Sequence, residues 1–292
     1  MSQDPWAQPP AGWPSAPPLR LRFNPTDALI SNDYAGWWGR GFALLRAGWR
    51  PMVMLHLILA VPMLVLLVPT EIAYERRERA LQASLSSADQ LPPFGDILRS
   101  ALIPLAGGIP AGLIFAFGVL ATVRMVTVVA TGGVPRVGDA ARAAVRRLPA
   151  MLGWSVVTVV ICLVAFVLCF LPLIYVGTVL TIMPVVVQLE RGNAVSRCFA
   201  LFHADLGASI GRAATIGGLS VAASVVMVVI TSVADLVLSG WAIGFVTAFL
   251  QVLVYVFSGV VLTPLIVTMY ADMRARHEPF STAYLADAAP GA

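Results

Sequence analysis

Side chains that commonly carry out catalysis or bind metal ions are few in this sequence and lie far apart. The three histidines, His56, His203 and His277, are not at the short spacings typical of metal ligands. The sequence has no HExxH, GxSxG, CxxC or phosphate-binding-loop motif. We therefore predict a protein that is not an enzyme, with no catalytic residues, no metal site and no cofactor.

Polar residues within long apolar stretches are the next candidates, because such residues often mark a pathway across a membrane. Asp235 and Arg124 lie near the ends of apolar stretches, so each can reach the membrane surface. Gln251 and Ser258 share one helix face, and His56 lies inside the first stretch. We expect these last three residues to form hydrogen bonds between helices. A polar cavity lined by them at mid-depth would instead indicate transport.

The composition requires a membrane environment. Of the 292 residues, 59% are apolar and only 12% are charged, whereas soluble domains have about 45–50% apolar and about 25% charged residues. All 19 basic residues are arginine, a bias associated with GC-rich bacteria, which favours the bacterial plasma membrane. The net charge of +4 is spread along the chain, so we expect no nucleic-acid partner.

Six apolar stretches are long enough to cross a membrane, which takes about 20 residues in a helix. Residues 151–188 contain no Asp, Glu, Arg or His and are too long for one ordinary span. Pro172, after Phe170 and Leu171, marks a tight turn within them, and Gly240 marks another turn. The predicted spans are residues 51–68, 101–123, the two halves of 151–188, 213–238 and 241–270.

The arginines divide unevenly between the two predicted membrane faces. If the first of six spans starts inside, the outer loops carry only Arg76, Arg77, Arg79 and Arg99. The inner segments then carry Arg20, Arg22, Arg40, Arg46, Arg50, Arg136, Arg142, Arg146, Arg147, Arg191, Arg197, Arg212, Arg274 and Arg276. The positive-inside rule therefore predicts that both termini are cytoplasmic.

Amphipathic segments precede three of the predicted spans. In residues 31–50, apolar side chains such as Trp38 and Trp49 recur at helical spacing opposite arginines, and residues 137–148 and 194–204 repeat the pattern. We predict an all-α integral membrane bundle of six transmembrane helices with amphipathic surface helices on the cytoplasmic side, built as three copies of one unit. The surface helices either only anchor the protein or bind headgroups of anionic inner-leaflet lipids. The candidate headgroup contacts are Arg46, Arg50, Arg142, Arg146, Arg147 and Arg197.

The start of the chain differs in composition from the rest. Residues 1–31 hold seven of the 21 prolines, and proline opposes both helix interiors and central strands. We predict a disordered cytoplasmic arm over residues 1–31, a membrane domain over 32–276 and a cytoplasmic tail over 277–292. The arm is either a plain tail or a docking peptide for an aromatic-lined groove. Its candidate anchors are Trp6, Pro9, Pro10 and Trp13.

Residues 133–154, 184–197 (PVVVQLERGNAVSR) and 270–278 resemble a group of actinobacterial multi-spanning membrane proteins. That group is similar to the membrane domain of glycerophosphodiester phosphodiesterases. Its members have an apolar segment that leads into an acidic residue and an Arg-bearing helix, here Glu190 and Arg197, and a Tyr-x-Asp-x-Arg-x-Arg tail. The resemblance implies a helical membrane domain over most of the chain. It implies no activity, because this sequence lacks the hydrolase domain.

These observations favour a non-catalytic membrane platform or anchor, whose arm recruits a cytoplasmic partner. The alternative is a permease-like protein that handles a lipid or small amphiphile between helices kinked at prolines. An intramembrane enzyme is the third and least favoured interpretation. At the end of the last span, Asp272 and Arg276 are four residues apart, and we expect them to pair where the helix enters solvent.

Overall fold

The computed structural model describes residues 27–87, 93–168 and 170–287, which form helices joined by turns, with no strand among them. The predicted anchors of the arm, Trp6, Pro9, Pro10 and Trp13, lie outside the described residues. The helices are α1 (Tyr34–Ser87), α2 (Phe94–Ala130), α3 (Val137–Leu168), α4 (Phe170–Leu180), α5 (Met183–Leu189), α6 (Ala194–His203), α7 (Leu206–Val237), α8 (Trp241–Phe257), a π-helical turn (Ser258–Leu262), α9 (Thr263–His277) and α10 (Ala283–Asp287).

Six helical stretches are long and apolar enough to cross a membrane, which confirms the predicted all-α bundle. Helices α3 and α7 bury little of their length inside it and expose rows of apolar side chains that include Val160 and Val225. Apolar surface on this scale suits lipid rather than water. The chain is therefore a multi-pass membrane protein. The six stretches are Tyr34–Ala83, Phe94–Ala130, Val137–Leu168, Phe170–Leu189, Leu206–Val237 and Trp241–His277.

The predicted division of residues 151–188 into two spans and the predicted turn at Gly240 are confirmed, but Phe170, Leu171 and Pro172 lie in the first turn of α4 rather than in a turn between spans. Helix α3 ends at Leu168 and α4 begins at Phe170, so the long apolar stretch forms two spans. Gly240 separates α7 from α8 with a φ of 64°, a left-handed conformation that glycine adopts without steric strain. The fourth span is itself divided into α4 and α5, and Pro184 lies in the first turn of α5, where a missing N–H is tolerated.

The first predicted surface helix is part of α1 rather than a separate element. Helix α1 has 54 residues, and at 1.5 Å per residue it is about 80 Å long. Its buried row of Trp37, Leu44 and Met52 continues without a turn into the first span, so a single helix packs better than two. The segment 137–148 likewise continues into a span, as α3. Only the third predicted surface helix forms a separate helix, α6.

Glycine allows close approach between the helices that surround α1. A Cβ atom at Gly259 would lie 2.0 Å from Cε1 of His56, and one at Gly244 would lie 2.9 Å from the backbone N of Ile72. Small residues of this kind let membrane helices pack backbone against backbone. Helix α1 accordingly packs along α2 and α8 through much of the bundle.

Both ends of the described chain meet on one face of the bundle. Asp27 Oδ2 accepts hydrogen bonds from Ser281 Oγ at 3.2 Å and from Thr282 N at 3.0 Å. Because the two ends share a face, the chain crosses the membrane an even number of times. We call this the terminal face, and it comprises residues 27–50, 124–147, 188–212 and 270–285, which share cavities and ion pairs around the two chain ends.

The membrane domain extends beyond the predicted boundaries at both ends. Leu29, Ile30 and Ser31, which were assigned to the arm, are buried. Phe280 and Leu285, which were assigned to the tail, are buried as well. Ser31 bonds Asp272 near the other end of the chain, whereas the Phe280 ring packs against Tyr270 on α9.

Candidate functional site

The predicted headgroup contacts occupy three different environments on the terminal face. Arg46 and Arg50 border a cavity of about 400 Å³, and the Arg50 Cζ atom lies 5.6 Å from the centroid of the Trp49 ring. Arg142 is largely exposed and pairs with Asp139, with Nη2 and Oδ1 2.7 Å apart. These three arginines are accessible from solvent or from a lipid headgroup layer.

Arg146 and Arg147 border a larger cavity, of about 630 Å³. Arg124, near the end of α2, and Arg191, just after α5, line the same cavity, which we call the four-arginine cavity. Its lining residues include no carboxylate. Among the described residues, none of these four arginines forms a salt bridge.

Arg197 differs from the other predicted contacts because two carboxylates already bind it. Its Nε donates to Glu190 Oε2 at 2.7 Å, and its Nη2 donates to Glu278 Oε1 at 2.8 Å. Arg274 Nε donates to the same Glu278 oxygen at 2.5 Å, and Tyr270 donates its hydroxyl to Glu190 at 2.5 Å. This closed network joins the turn before α6 to the end of α9.

The two arginines of this network keep the Glu278 carboxylate ionised. Burial alone would raise the pKa of Glu278, but hydrogen bonds from Arg274 and Arg197 outweigh burial and hold that pKa below its usual value. Burial and the charge of Glu190 raise the pKa of the neighbouring Cys198 thiol to about 12. Cys198 is therefore a thiol, not a nucleophilic thiolate, at neutral pH. We assign the network a bracing role.

A buried ion pair joins α7 to α9, and Ser31 near the start of the described chain bonds the carboxylate of this pair. Asp272 on α9 is fully buried, and Arg212 on α7 is 2% exposed; Arg212 Nη2 lies 3.0 Å from Asp272 Oδ2. The carboxylate also accepts hydrogen bonds from the Ser31 backbone N at 2.5 Å and the Ser31 hydroxyl at 2.8 Å. The buried Asp272 carboxylate is thus paired and hydrogen-bonded, whereas Nε and Nη1 of Arg212 are buried without a hydrogen-bond partner among the described residues.

Asp27 forms a second link between the two ends. Its Oδ1 accepts from the backbone N of Leu29 at 2.9 Å and of Ile30 at 3.2 Å, while Thr282 bonds both carboxylate oxygens. Burial would raise the pKa of Asp27, but the hydrogen bonds from Thr282, Leu29 and Ile30 lower it below its usual value. We call Asp27, Ser31, Arg212, Asp272 and Thr282 the terminal clasp.

The terminal clasp was missed in the sequence, where Asp272 was expected to pair with Arg276 at a solvated helix end. In the structure Asp272 bonds Ser31 and Arg212, and Arg276 pairs with Asp205. The available signal was the acidic residue Asp272 following directly on apolar α9 residues. Its two partners are distant in the chain, because Arg212 precedes it by 60 residues and Ser31 precedes it by 241 residues. No local sequence pattern relates residues at such separations.

The polar residues predicted at mid-depth do not share one cavity. His56 is buried, and its Nε2 lies 3.0 Å from the Thr122 hydroxyl. Gln251 Nε2 donates instead to the Tyr255 hydroxyl on its own helix at 3.5 Å. Ser258 begins the π-helical turn, and its carbonyl accepts from the hydroxyl of a residue five positions later. Of these three residues, His56 alone bonds a neighbouring helix through its side chain, while Gln251 Oε1 is buried without a hydrogen-bond partner among the described residues.

No group of three or more His, Cys, Asp or Glu side chains in the described part of the chain is arranged to hold a metal ion. Comparison with protein-family models, with curated proteins and with solved structures finds no match. The chemistry of the terminal face therefore carries the functional argument.

Proposed function

We propose that the chain is a non-catalytic platform in the bacterial plasma membrane. In this proposal the terminal face is cytoplasmic and lies against the anionic lipids of the inner leaflet. The arm predicted over residues 1–31 recruits a cytoplasmic protein through Trp6, Pro9, Pro10 and Trp13. Tryptophan and proline suit an aromatic-lined groove, because both lose little conformational entropy on binding.

The fixed root of the arm is the observation that carries this proposal. Ser31 is bonded to Asp272 through both its backbone N and its hydroxyl, and Asp27 is bonded to Thr282. The arm therefore leaves the bundle at a defined point on the terminal face. A plain tail needs no such attachment, whereas a docking peptide that must present a partner to the membrane surface benefits from it.

The distribution of charge supports a cytoplasmic terminal face. On the opposite face the described arginines are Arg76, Arg77, Arg79 and Arg99, and two of these, Arg77 and Arg79, are neutralised by Asp96 and Asp235. The terminal face instead has arginines that face cavities without a carboxylate partner. An excess of arginine on one side matches the positive-inside rule.

The permease-like alternative has weaker support. It requires a polar cavity at mid-depth, whereas His56 contacts Thr122 and lies against Gly118 and Gly259. The neighbouring interior is filled by small and medium apolar side chains such as Ala111 and Val252. The geometry therefore supports the platform better than the permease.

Site-specific cross-linking in native membranes tests the recruitment. A photoreactive residue at position 13 of the full-length chain should yield a cross-link to a cytoplasmic protein. The combined substitution Trp6→Ala, Pro9→Ala and Pro10→Ala should reduce its yield at least about fivefold, because hot-spot anchors carry most of a peptide's binding energy. The control Trp241→Ala, on the opposite face, should leave the yield unchanged. An equal yield from all three proteins would contradict the proposal.

Cysteine labelling tests the orientation separately. Val134 on the terminal face and Ser239 near the opposite end of α7 are both exposed. In a variant without native cysteines, Ser239→Cys should react with a membrane-impermeant maleimide in intact cells. Val134→Cys should react only after the cells are opened. The reverse pattern would place the terminal face outside the cytoplasm.

A further inference from the structure

The four-arginine cavity concentrates positive charge without neutralising it. Arg124, Arg146, Arg147 and Arg191 come from three separate parts of the chain, yet they border one cavity of about 630 Å³. This volume lies within the range of small-ligand sites, about 300–1,000 Å³. Helix packing brings these four like charges together although they repel one another, so a bound anion is the natural counter-charge.

Other arginines near this cavity show that the chain does supply carboxylates when an arginine has a structural role. Arg197 is paired with Glu190 and Glu278, and Arg212 is paired with Asp272. Among the described residues, the arginines of the four-arginine cavity have no such pairing. Their guanidinium groups therefore keep donors for a ligand.

Gln188 provides an independent indication of a ligand. It lines the four-arginine cavity, is 7% exposed, and its Oε1 atom is buried with no hydrogen-bond partner among the described residues. A buried acceptor without a donor is costly, and such atoms in native structures usually have an explanation. Once the Gln188 amide turns toward the cavity, a hydroxyl group on a bound molecule would satisfy this oxygen.

We infer that the four-arginine cavity binds a phosphate ester that carries a hydroxyl group. Guanidinium groups bind phosphate through paired, charge-assisted hydrogen bonds. The Gln188 amide oxygen accepts from the hydroxyl of the same molecule. Two sources have this chemistry: a phospholipid headgroup such as that of phosphatidylglycerol, and a soluble ester such as glycerol 3-phosphate. The inference rests on the proposed function only in placing this face against anionic lipid, and the arm has no part in it.

Lipid binding to the purified full-length protein in nanodiscs tests the site. Phosphatidylglycerol should bind more tightly than phosphatidylcholine. The double variant Arg124→Gln/Arg191→Gln should weaken phosphatidylglycerol binding at least about tenfold. The matched control Arg76→Gln/Arg99→Gln removes the same charge from the opposite face, where neither arginine forms a salt bridge among the described residues, and should change binding less than about threefold. Equal losses in the two double variants would overturn the inference, since they would indicate general surface attraction.

Gln188→Leu tests the hydroxyl contact without changing any charge. This variant should bind phosphatidylglycerol about fivefold more weakly than the unsubstituted protein does. It should bind phosphatidylethanol, which lacks the hydroxyl, with the same affinity as the unsubstituted protein. An equal effect on both lipids would overturn the assigned contact. The Gln188 comparison also serves as the test if the arginine variant does not fold.

Competition distinguishes the two sources. If glycerol 3-phosphate displaces phosphatidylglycerol at a similar concentration, the ligand chemistry is that of a soluble ester; if it does not, the acyl chains contribute and the source is lipid. Either result supports the phosphate site, whereas failure of both probes to bind overturns it. Cross-linking through position 13 should persist in the Arg124→Gln/Arg191→Gln variant, so failure of this site and failure of recruitment are separable.

Discussion

The ion pair between Arg212 and Asp272 allows a quantitative test of what holds the chain ends to the bundle. Both side chains are almost completely inaccessible, at 2% and 0% of their possible exposure. Arg212→Met keeps most of the aliphatic bulk and removes the charge, so the Asp272 carboxylate is left buried without a counter-charge. Breaking one partner of a buried pair typically costs about 3–5 kcal/mol, and we expect a loss of unfolding free energy in that range.

The double variant Arg212→Met/Asp272→Asn should be much less destabilised than either single variant. It removes both buried charges, and the asparagine amide oxygen still accepts a hydrogen bond from Ser31. Replacing a buried pair as a whole is often close to neutral. We therefore expect a total cost of about 1–2 kcal/mol and a coupling free energy of at least about 2 kcal/mol between the two positions.

Reversible unfolding in mixed micelles, followed by tryptophan fluorescence, measures these differences. Trp37 is fully buried, and its indole N donates to the Leu265 carbonyl at 3.2 Å, so its emission should report loss of packing at the terminal face. Arg142→Met is the matched control, because the pair between Arg142 and Asp139 is exposed and such pairs contribute about 0–1 kcal/mol. Additive costs in the double variant, with no coupling, would refute the reasoning.

Two further predictions concern acid stability and helix packing. The pKa values of Asp27 and Glu278 are both lowered by folding. Their contribution to stability is therefore full above about pH 5 and is lost as the pH falls below about 4. Asp27→Asn should reduce this loss of unfolding free energy at acid pH, measured by equilibrium unfolding between pH 3 and 7. Gly259→Ala should lower the free energy of unfolding by about 1–3 kcal/mol, because the added Cβ overpacks against His56. The control Gly217→Ala has open space around the added Cβ and should stabilise α7 slightly. Equal stability of the two glycine variants would contradict the close contact at Gly259.

The membrane class and the number of spans follow from the sequence. Apolar stretches near 20 residues long require lipid wherever they occur, because the property is local and additive along the chain. The turn at Gly240 and the division of residues 151–188 near Pro172 were predictable for the same reason, since glycine and proline act on their own backbone. The break between α4 and α5 was less visible, because Pro184 begins the second piece of an otherwise apolar span.

Interactions between distant residues were the part that sequence patterns could not supply. The amphipathic pattern of residues 31–50 fits both a separate helix on the membrane surface and the first part of a long helix. Packing of Trp37 and Met52 against the bundle favours the long helix, and the sequence alone does not reveal this packing. The charges show the same limitation. Arg197 was expected at lipid headgroups, but Glu190 and Glu278 bind it.

Composition and apolar periodicity were therefore sufficient for the environment, the fold class and the count of crossings, because each depends on residues that are neighbours in the chain. The terminal clasp and the four-arginine cavity depend on residues brought together from helices far apart in sequence, such as Ser31 with Asp272 and Arg124 with Arg191. Electrostatic and hydrogen-bond energies fall steeply with distance, and only the tertiary structure decides which of these groups come within reach of one another.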